Sequence, residues 1–388
     1  MTFYNLQTEE ERKKYIELLK ITGSLSNLFS DSETPYIYYR AMENIFCKAF
    51  SAENLSRSDI SADASKSGVG IGLKTFLQNN GRTFQKVAEF NRESLNINNL
   101  DDEELIYYVS EMRNERIETT KRISHCNSMI YHLLTRSISS MAVFEEEMDL
   151  VDINSIKNIK SKGNSVSFSD KFNEYNFNKS KSTLFKRFIT DDKKQIEVFK
   201  VDILEDPYEL LLGLNTKNNI KYLKKENEDV IDFIILPLYS PRTNEVAEKS
   251  GLNQWNASGR PRDPDEVYIP IPSWIHKSKN GFFKYNTEDF KTDSFNVYLP
   301  SGEVISMRVA QQGGKALMSN PNKKLGEWLL REVLNVKYGT LLTKKMLDQI
   351  GIDSLKLSKR HDGNFYLDFV KSGSYENFKN KYKDIENS

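Results

Sequence analysis

Two stretches of the chain concentrate side chains able to do chemistry. Ser250 to Pro272 reads SGLNQWNASGRPRDPDEVYIPIP. Amides, arginines and an indole stand among turn formers there: Asn253, Gln254, Trp255, Asn256, Arg260 and Arg262. Arginine forks match the paired acceptors of guanine. Asn and Gln amides match the edge of adenine, and an aromatic ring can stack or wedge. A loop that only had to connect would not need all of these together. The second stretch, Asp59 to Phe76, reads DISADASKSGVGIGLKTF. As two strands joined by a tight turn, it puts Asp59, Ser61 and Asp63 on one face of the first strand. Val69, Ile71 and Leu73 share a face of the second, with Lys74 on the opposite side. Gly68, Gly70 and Gly72 let the backbone turn and approach a ligand or another strand closely. The run from Gly68 to Lys74 has neither the dinucleotide nor the P-loop glycine spacing, so it does not read as a phosphate cradle.

The elements that must hold these residues follow from periodicity. Residues 8–20 read as an amphipathic helix opened by a capping box, Thr8 with Glu11. Tyr36 to Phe50 reads as a second helix with Ile37, Met42, Ile45, Phe46 and Phe50 inward, and it carries Arg40 and Glu43. The spacing predicts a helix from Thr83 to Ser94, bearing Glu89, and a long helical region over 101–147, capped by Asp101 with Glu104. Strands are expected at Ser165–Ser169 and Gln195–Asp202. The polar run 214–228, LNTKNNIKYLKKENE, reads as a linker between a domain of residues 1–213 and one of 229–388. The second domain opens on the buried strand Ile231–Tyr239. Short strands at Glu266–Ile271, Ser294–Leu299 and Glu303–Val309 follow, then helices at Lys324–Val333 and Leu341–Ile350 and a last hairpin through Phe365–Phe369. Short strands at regular intervals suggest a small barrel.

Composition bounds the function. At 388 residues, two or three domains are expected. Lys plus Arg and Asp plus Glu both number 55, which argues against a purely electrostatic binder of nucleic acid but leaves room for a basic groove offset elsewhere. Two cysteines far apart, Cys47 and Cys126, exclude a disulfide framework and a cysteine-rich zinc site. His125, Cys126 and His132 have no recognised zinc spacing. The first twenty residues lack the order of a signal peptide, and no apolar run is long enough to span a membrane, so a soluble, cytoplasmic protein is expected.

The hairpin resembles the core of PD-(D/E)XK nucleases. In that family an acid on one strand and an acid-X-Lys on the next hold Mg²⁺ and a water beside the scissile phosphate. The resemblance implies that Asp63 is the first acid and Lys74 the lysine. Carboxylates are hard ligands for Mg²⁺, which stabilises transition-state charge and acidifies the attacking water. The chain departs from the pattern at Gly72, where the second acid would stand. Glu43 on the preceding helix, as in some members, or Glu89 would then complete the catalytic set, with Asp63 and Glu43 as metal ligands.

From about Asp232 to Phe369 the chain resembles the C-terminal B3-like DNA-binding domain of certain restriction endonucleases. The resemblance is carried by Leu238-Tyr239, Lys249 to Asn253, Arg260, Arg262, Glu266 to Pro270 and Phe282-Phe283. It continues through Gln311-Gln312, Lys315 to Leu317, Asn320, Leu325 to Trp328 and Tyr366 to Phe369. The segment after Asn253 is longer than that pattern. In those enzymes the domain usually follows a phospholipase-D-type nuclease, which needs His-X-Lys. None of His125, His132, His276 and His361 has lysine two residues on, so a different nuclease precedes the same reader. The family implies a curved sheet in the major groove with two gripping arms. Lys249, Ser250, Asn253, Trp255, Arg260 and Arg262 would belong to one arm. Gln311, Gln312 and Lys315 would form a second contact, and Glu266 would accept from a cytosine amino group.

The expected fold is therefore α+β: a helix-rich PD-(D/E)XK-like α/β nuclease domain followed by a B3-like β-barrel. The expected activity is Mg²⁺-dependent hydrolysis of double-stranded DNA at a short specific site, by a homodimer or by two nicks. A cognate DNA methyltransferase is the expected partner if cutting is sensitive to modification. Two alternatives stay open: an endonuclease that cuts only methylated DNA, and a sequence-specific DNA-binding protein with a degenerate nuclease domain.

Overall fold

The computed structural model describes residues 2–55, 60–90, 100–217 and 230–382. Asp59 and most of the expected linker lie outside them. The chain divides into two compact units, 1–121 with 126–223 and 122–125 with 224–388.

In the first unit, a short helix α1 (Phe3–Leu6) precedes α2 (Glu9–Ser24). The capping box forms as its sequence requires. The Thr8 hydroxyl accepts from Glu11 N at 3.2 Å, and the Glu11 carboxylate accepts from Thr8 N at 3.0 Å. Helix α3 (Tyr39–Phe50) buries Met42, Ile45, Phe46, Ala49 and Phe50, the i, i+3, i+4, i+7 stripe of an amphipathic helix. That stripe packs with Tyr15 and Leu19 of α2 onto Ile71, Leu73, Leu134 and Val143 of a sheet. The sheet contains β1 (Glu53–Asn54), β2 (Ala64–Lys66), β3 (Val69–Leu77), β5 (Ser128–Ser137), β6 (Ser140–Glu147) and β11 (Glu197–Lys200), adjacent in that order. Strands β2 and β3 form the expected antiparallel hairpin. Between β3 and β5, which are parallel, the chain crosses over through α4 (Asp102–Ile123). Asp101 caps α4, its carboxylate accepting from Glu103 N and Glu104 N at 2.9 Å.

Two sequence expectations are corrected here. Residues 83–89 are strand, not helix: β4 (Arg82–Glu89) pairs antiparallel with β10 (Thr183–Ile189) in a second sheet, completed by β9 (Glu174–Asn178), β8 (Ser165–Ser169) and β7 (Lys157–Lys162). Thr83 and Val87 are β-branched, and Gly81, at φ 72°, makes the turn that starts the strand. The region 101–147 is helical only to Ile123, and the β5–β6 hairpin follows. Both faces of β5 are covered, Met129, Tyr131 and Leu133 on one and His132 and Leu134 on the other. A strand buried on both sides reads as a continuous apolar run, which periodicity alone does not separate from a buried helix.

The second unit is built on one sheet that nearly closes into a barrel. Its strands are β12 (Val230–Pro237), β17 (Ile352–Arg360), β18 (Phe365–Lys371), β14 (Phe295–Tyr298), β15 (Val304–Ala310), β16 (Ala316–Ser319) and β13 (Ile269–Pro270), in that order. Only the β14–β18 pair is parallel. In β15 and β18 alternate residues, Ile305, Met307, Leu367 and Phe369 among them, are buried, the period-two pattern of strands with one face on a core, whereas residues 234–237 of β12 and 352–355 of β17 are buried on both faces. Of the expected strand Glu266–Ile271, only Ile269–Pro270 pairs. The helices are α6 (Ser273–Ser278), α7 (Lys324–Gly326) running into a π-helical stretch Glu327–Val333, α8 (Lys344–Ile350) and α9 (Ser374–Asn380). Among the described residues no helix is long and apolar enough to cross a membrane.

Candidate functional site

The loop between β12 and β13 holds the first group of candidate readers. It opens with exposed Lys249 and half-buried Ser250, then winds into a 3₁₀ turn, Gly251–Asn256. Asn253 faces inward and is 1% exposed. Its amide donates to Leu342 O at 2.9 Å and to Ala247 O at 3.2 Å, and accepts from Leu342 N at 2.9 Å. The side chain expected to read a base instead clamps the loop to the segment before α8. Trp255 is half-buried and its indole N–H finds no acceptor among the described residues. Arg262 braces the loop from below, donating to Ala257 O at 2.8 Å.

Arg260 and Glu266 are directly joined. Both terminal nitrogens of the Arg260 guanidinium donate to the two oxygens of Glu266, Nη1 to Oε2 at 3.1 Å and Nη2 to Oε1. Glu266 is buried, whereas the Arg260 side chain is 57% exposed. The carboxylate expected to meet cytosine lies beneath the arginine. Gln254 Nε2 donates to the same Oε1 at 3.2 Å, and Gln311 Nε2 donates to Gln254 Oε1 at 3.3 Å. The structure thus brings Arg260, Glu266 and Gln254 of one loop against Gln311 of the β15–β16 turn. Gln254 stands among the amides that the sequence singles out in this loop, although the resemblance assigns it to neither arm; the structure gives it the link between Glu266 and Gln311.

The turn itself is firmly held. Gln311 sits at φ 65° and ψ 169°, a backbone state natural to glycine. Gln312 and Lys315 are exposed. Gly314 is at φ 63°, and a Cβ there would lie 2.6 Å from Phe290 Cβ. Its carbonyl accepts from His276 Nε2 at 3.0 Å, while His276 Nδ1 accepts from Tyr285 OH at 2.6 Å and the ring stacks on Phe290 at 4.8 Å. Burial holds the imidazole below its usual 6.5. The folded protein therefore takes up that proton less readily than the unfolded chain. The contribution of His276 to stability is complete above about pH 6.5 and is lost as pH falls below it. Melting temperatures measured from about pH 7 to about pH 5 are expected to fall, and to fall less steeply in His276→Gln, which has nothing to titrate at that position.

The other end of this loop is fixed by close backbone packing. Arg331 donates to the Asp265 carboxylate and to Pro264 O at 2.9 Å, and lies 4.3 Å over the Tyr338 ring. Gly326 touches the same segment: a Cβ there would lie 2.1 Å from Asp265 O. Because the obstacle is main chain, Gly326→Ala is expected to destabilise the protein by about 1–3 kcal/mol or more in chemical denaturation.

In the first unit the hairpin and α3 converge. Asp63 extends the ladder beyond β2, its N–H donating to Ile71 O at 2.8 Å. Its Oδ2 accepts from Leu73 N at 2.7 Å. Lys74 is half-buried and pairs with Leu133 through its backbone, and its side chain makes no hydrogen bond or ion pair among the described residues. Glu43 is 5% exposed and accepts from Arg40 at 2.8 Å. The Cys47 thiol is pushed up to about 12, first by burial and then by the charges of Glu43, Asp63 and Glu53. Three carboxylates from α3, the β2 approach and β1 therefore stand within electrostatic reach of one thiol. Glu53 was not anticipated, because its two-residue strand carries no pattern. Among the described residues no three His, Cys, Asp or Glu side chains are close enough together to hold a metal by themselves.

Gly72 has a steric explanation. A Cβ there would lie 2.7 Å from Met148 Cε and 3.1 Å from the Tyr131 ring. Tyr131 is fixed by Arg113, which donates to its hydroxyl at 2.7 Å, and burial raises the phenol above its usual range. A neutral phenol occupies the space that a side chain at position 72 would enter. Glu89 lies elsewhere, at the exposed end of β4, paired with Lys86 at 2.8 Å.

No curated protein matches the chain. Residues 214–361 match the family described as the NgoFVII C-terminal B3-like DNA-binding domain, so the second unit is similar to a DNA-binding domain of the kind carried by restriction enzymes.

Proposed function

We propose that the chain is a Mg²⁺-dependent restriction endonuclease whose C-terminal unit reads a short duplex site and whose N-terminal unit hydrolyses the phosphodiester. The observation that carries this reading is the match of residues 214–361 to a restriction-enzyme reader, on a loop and turn that present Arg260 and Gln311 together. For the N-terminal unit, support comes from α3 with Glu43, the β2–β3 hairpin with Asp63 and Lys74, and the α4 crossover to parallel β5. The donor set fits magnesium, which commonly takes only one or two protein carboxylates and completes its shell with water and substrate phosphate. Asp63 and Glu43 would hold it. When bound, the ion supplies charge stabilisation and a more acidic attacking water.

The chain's own groups do the rest. The Leu73 N–H fixes one Asp63 oxygen, and the other has no hydrogen bond among the described residues. Arg40 sets the direction of Glu43. Lys74, having no internal partner, is available to hold a phosphate oxygen or the attacking water. Cutting both strands takes a second copy or two successive nicks. A second reading, a DNA-binding protein that does not cut, is favoured by the space at Gly72 that Tyr131 and Met148 fill.

Incubation of unmodified and cytosine-methylated plasmid with Mg²⁺ or EDTA separates these. Discrete Mg²⁺-dependent fragments are expected, their ends giving the site and their substrate the modification rule. A protein that binds either DNA and cuts neither is the second reading.

A further inference from the structure

We propose that Glu266 is a positioning residue for sequence readout: it touches no base, and it sets the orientation of two separate readers, Arg260 and Gln311. This rests on the proposed reading of duplex DNA by the C-terminal unit. The argument is one of donors and acceptors. An ionised carboxylate only accepts, so Gln254 must turn its NH₂ toward Glu266 Oε1, which it does at 3.2 Å. Gln254 then has its carbonyl toward the β15–β16 turn, so Gln311 must answer with an N–H, at 3.3 Å. Gln311 keeps one N–H and its carbonyl for an outside partner, the donor–acceptor pair that matches adenine.

The same carboxylate orients Arg260. Its end-on edge, Nη1 and Nη2, is occupied by Glu266, and Nη1 also donates to Pro261 O at 3.2 Å. What remains is the side edge, Nε–H with the second Nη2–H. Those two parallel donors match O6 and N7 of guanine. One buried charge thus fixes a guanine fork directly and an adenine-type amide through one intermediate, Gln254, which lies 57 residues of sequence from Gln311. At position 266 a glutamine would remove this polarity. It can donate as well as accept, so Gln254 could stand either way round, and its single oxygen holds only one arginine N–H.

The test is selection of bound duplexes from a randomised pool by the full-length protein, with melting curves to establish folding and a salt series on random DNA. The parent is expected to enrich a motif. Glu266→Gln is expected to lose preference at two base positions by about tenfold or more each, with affinity for random DNA and its salt slope unchanged. Gln254→Ala, which cuts the link to Gln311 but leaves the arginine fork, is expected to lose one of those positions only. A folded Glu266→Gln that keeps the parental motif overturns the proposal, as does a folded Gln254→Ala that does so, including where Glu266→Gln fails to fold. A parent that binds DNA but enriches no motif removes base reading itself, and this inference with it.

Discussion

Lys74→Ala and Asp63→Asn are expected to bind DNA like the parent and to cut it roughly 10²–10⁴-fold more slowly. The two substitutions isolate chemistry from folding in different ways. The Lys74 side chain makes no hydrogen bond or ion pair among the described residues, so its truncation breaks no polar contact there. Asp63 accepts from Leu73 N at 2.7 Å, and its loss to alanine would leave that N–H without its acceptor. Asparagine keeps an oxygen for the N–H and removes only the charge. Truncation to alanine would add about 1–3 kcal/mol of lost stability and confuse the result. Single-turnover cleavage, with binding measured separately at the same salt, reads the difference. Cutting at the parental rate by Lys74→Ala would remove the hairpin from the mechanism and turn attention to the second reading.

The second large effect is expected at Arg260. Arg260→Ala should weaken binding to the selected site by about 1–3 kcal/mol while leaving affinity for random DNA nearly unchanged. Two contributions act together. The base loses a fork, and the buried Glu266 carboxylate loses the nearer of two guanidinium groups, keeping Arg262 at 4.0 Å. Because the Arg260 side chain is 57% exposed, water takes over much of the second role, so the cost to folding is small compared with that of a fully buried pair. Arg260→Lys separates the two. It returns a positive charge to Glu266 and no fork, so it should restore stability and not specificity. Titration of matched and mismatched duplexes by each variant checks this. Equal losses on both duplexes would make Arg260 a backbone contact.

What could be read from the sequence, and what could not, follows physical lines. Helices α2 and α3 announce themselves because each has one wet face, so their stripes and caps appear in the residue order. The β2–β3 hairpin was legible from glycines at a turn. The β5–β6 hairpin was hidden because both of its faces are dry. Residues of one chemistry also met different fates. Asn253 and Gln254 are neighbours with the same functional group, yet one grips backbone and the other joins a polar chain. Both are buried, and only the direction in which each side chain leaves the turn separates them, which composition does not reveal. The chain from Arg260 to Gln311 has no local signature, since its members meet only after two distant turns come together. The same holds for Gly72: the sequence shows that the acid is missing, and only packing shows that Tyr131 and Met148 fill its space.

The left-handed backbone at Gln311 sets robustness against use. A glutamine in that state costs about 1–3 kcal/mol, of which replacement by glycine would recover a part. A laboratory selection for heat resistance alone would drift toward glycine at this position and yield a hardier protein with blunted discrimination. Improvement of this protein for industrial handling should therefore hold position 311 fixed and seek its gains elsewhere.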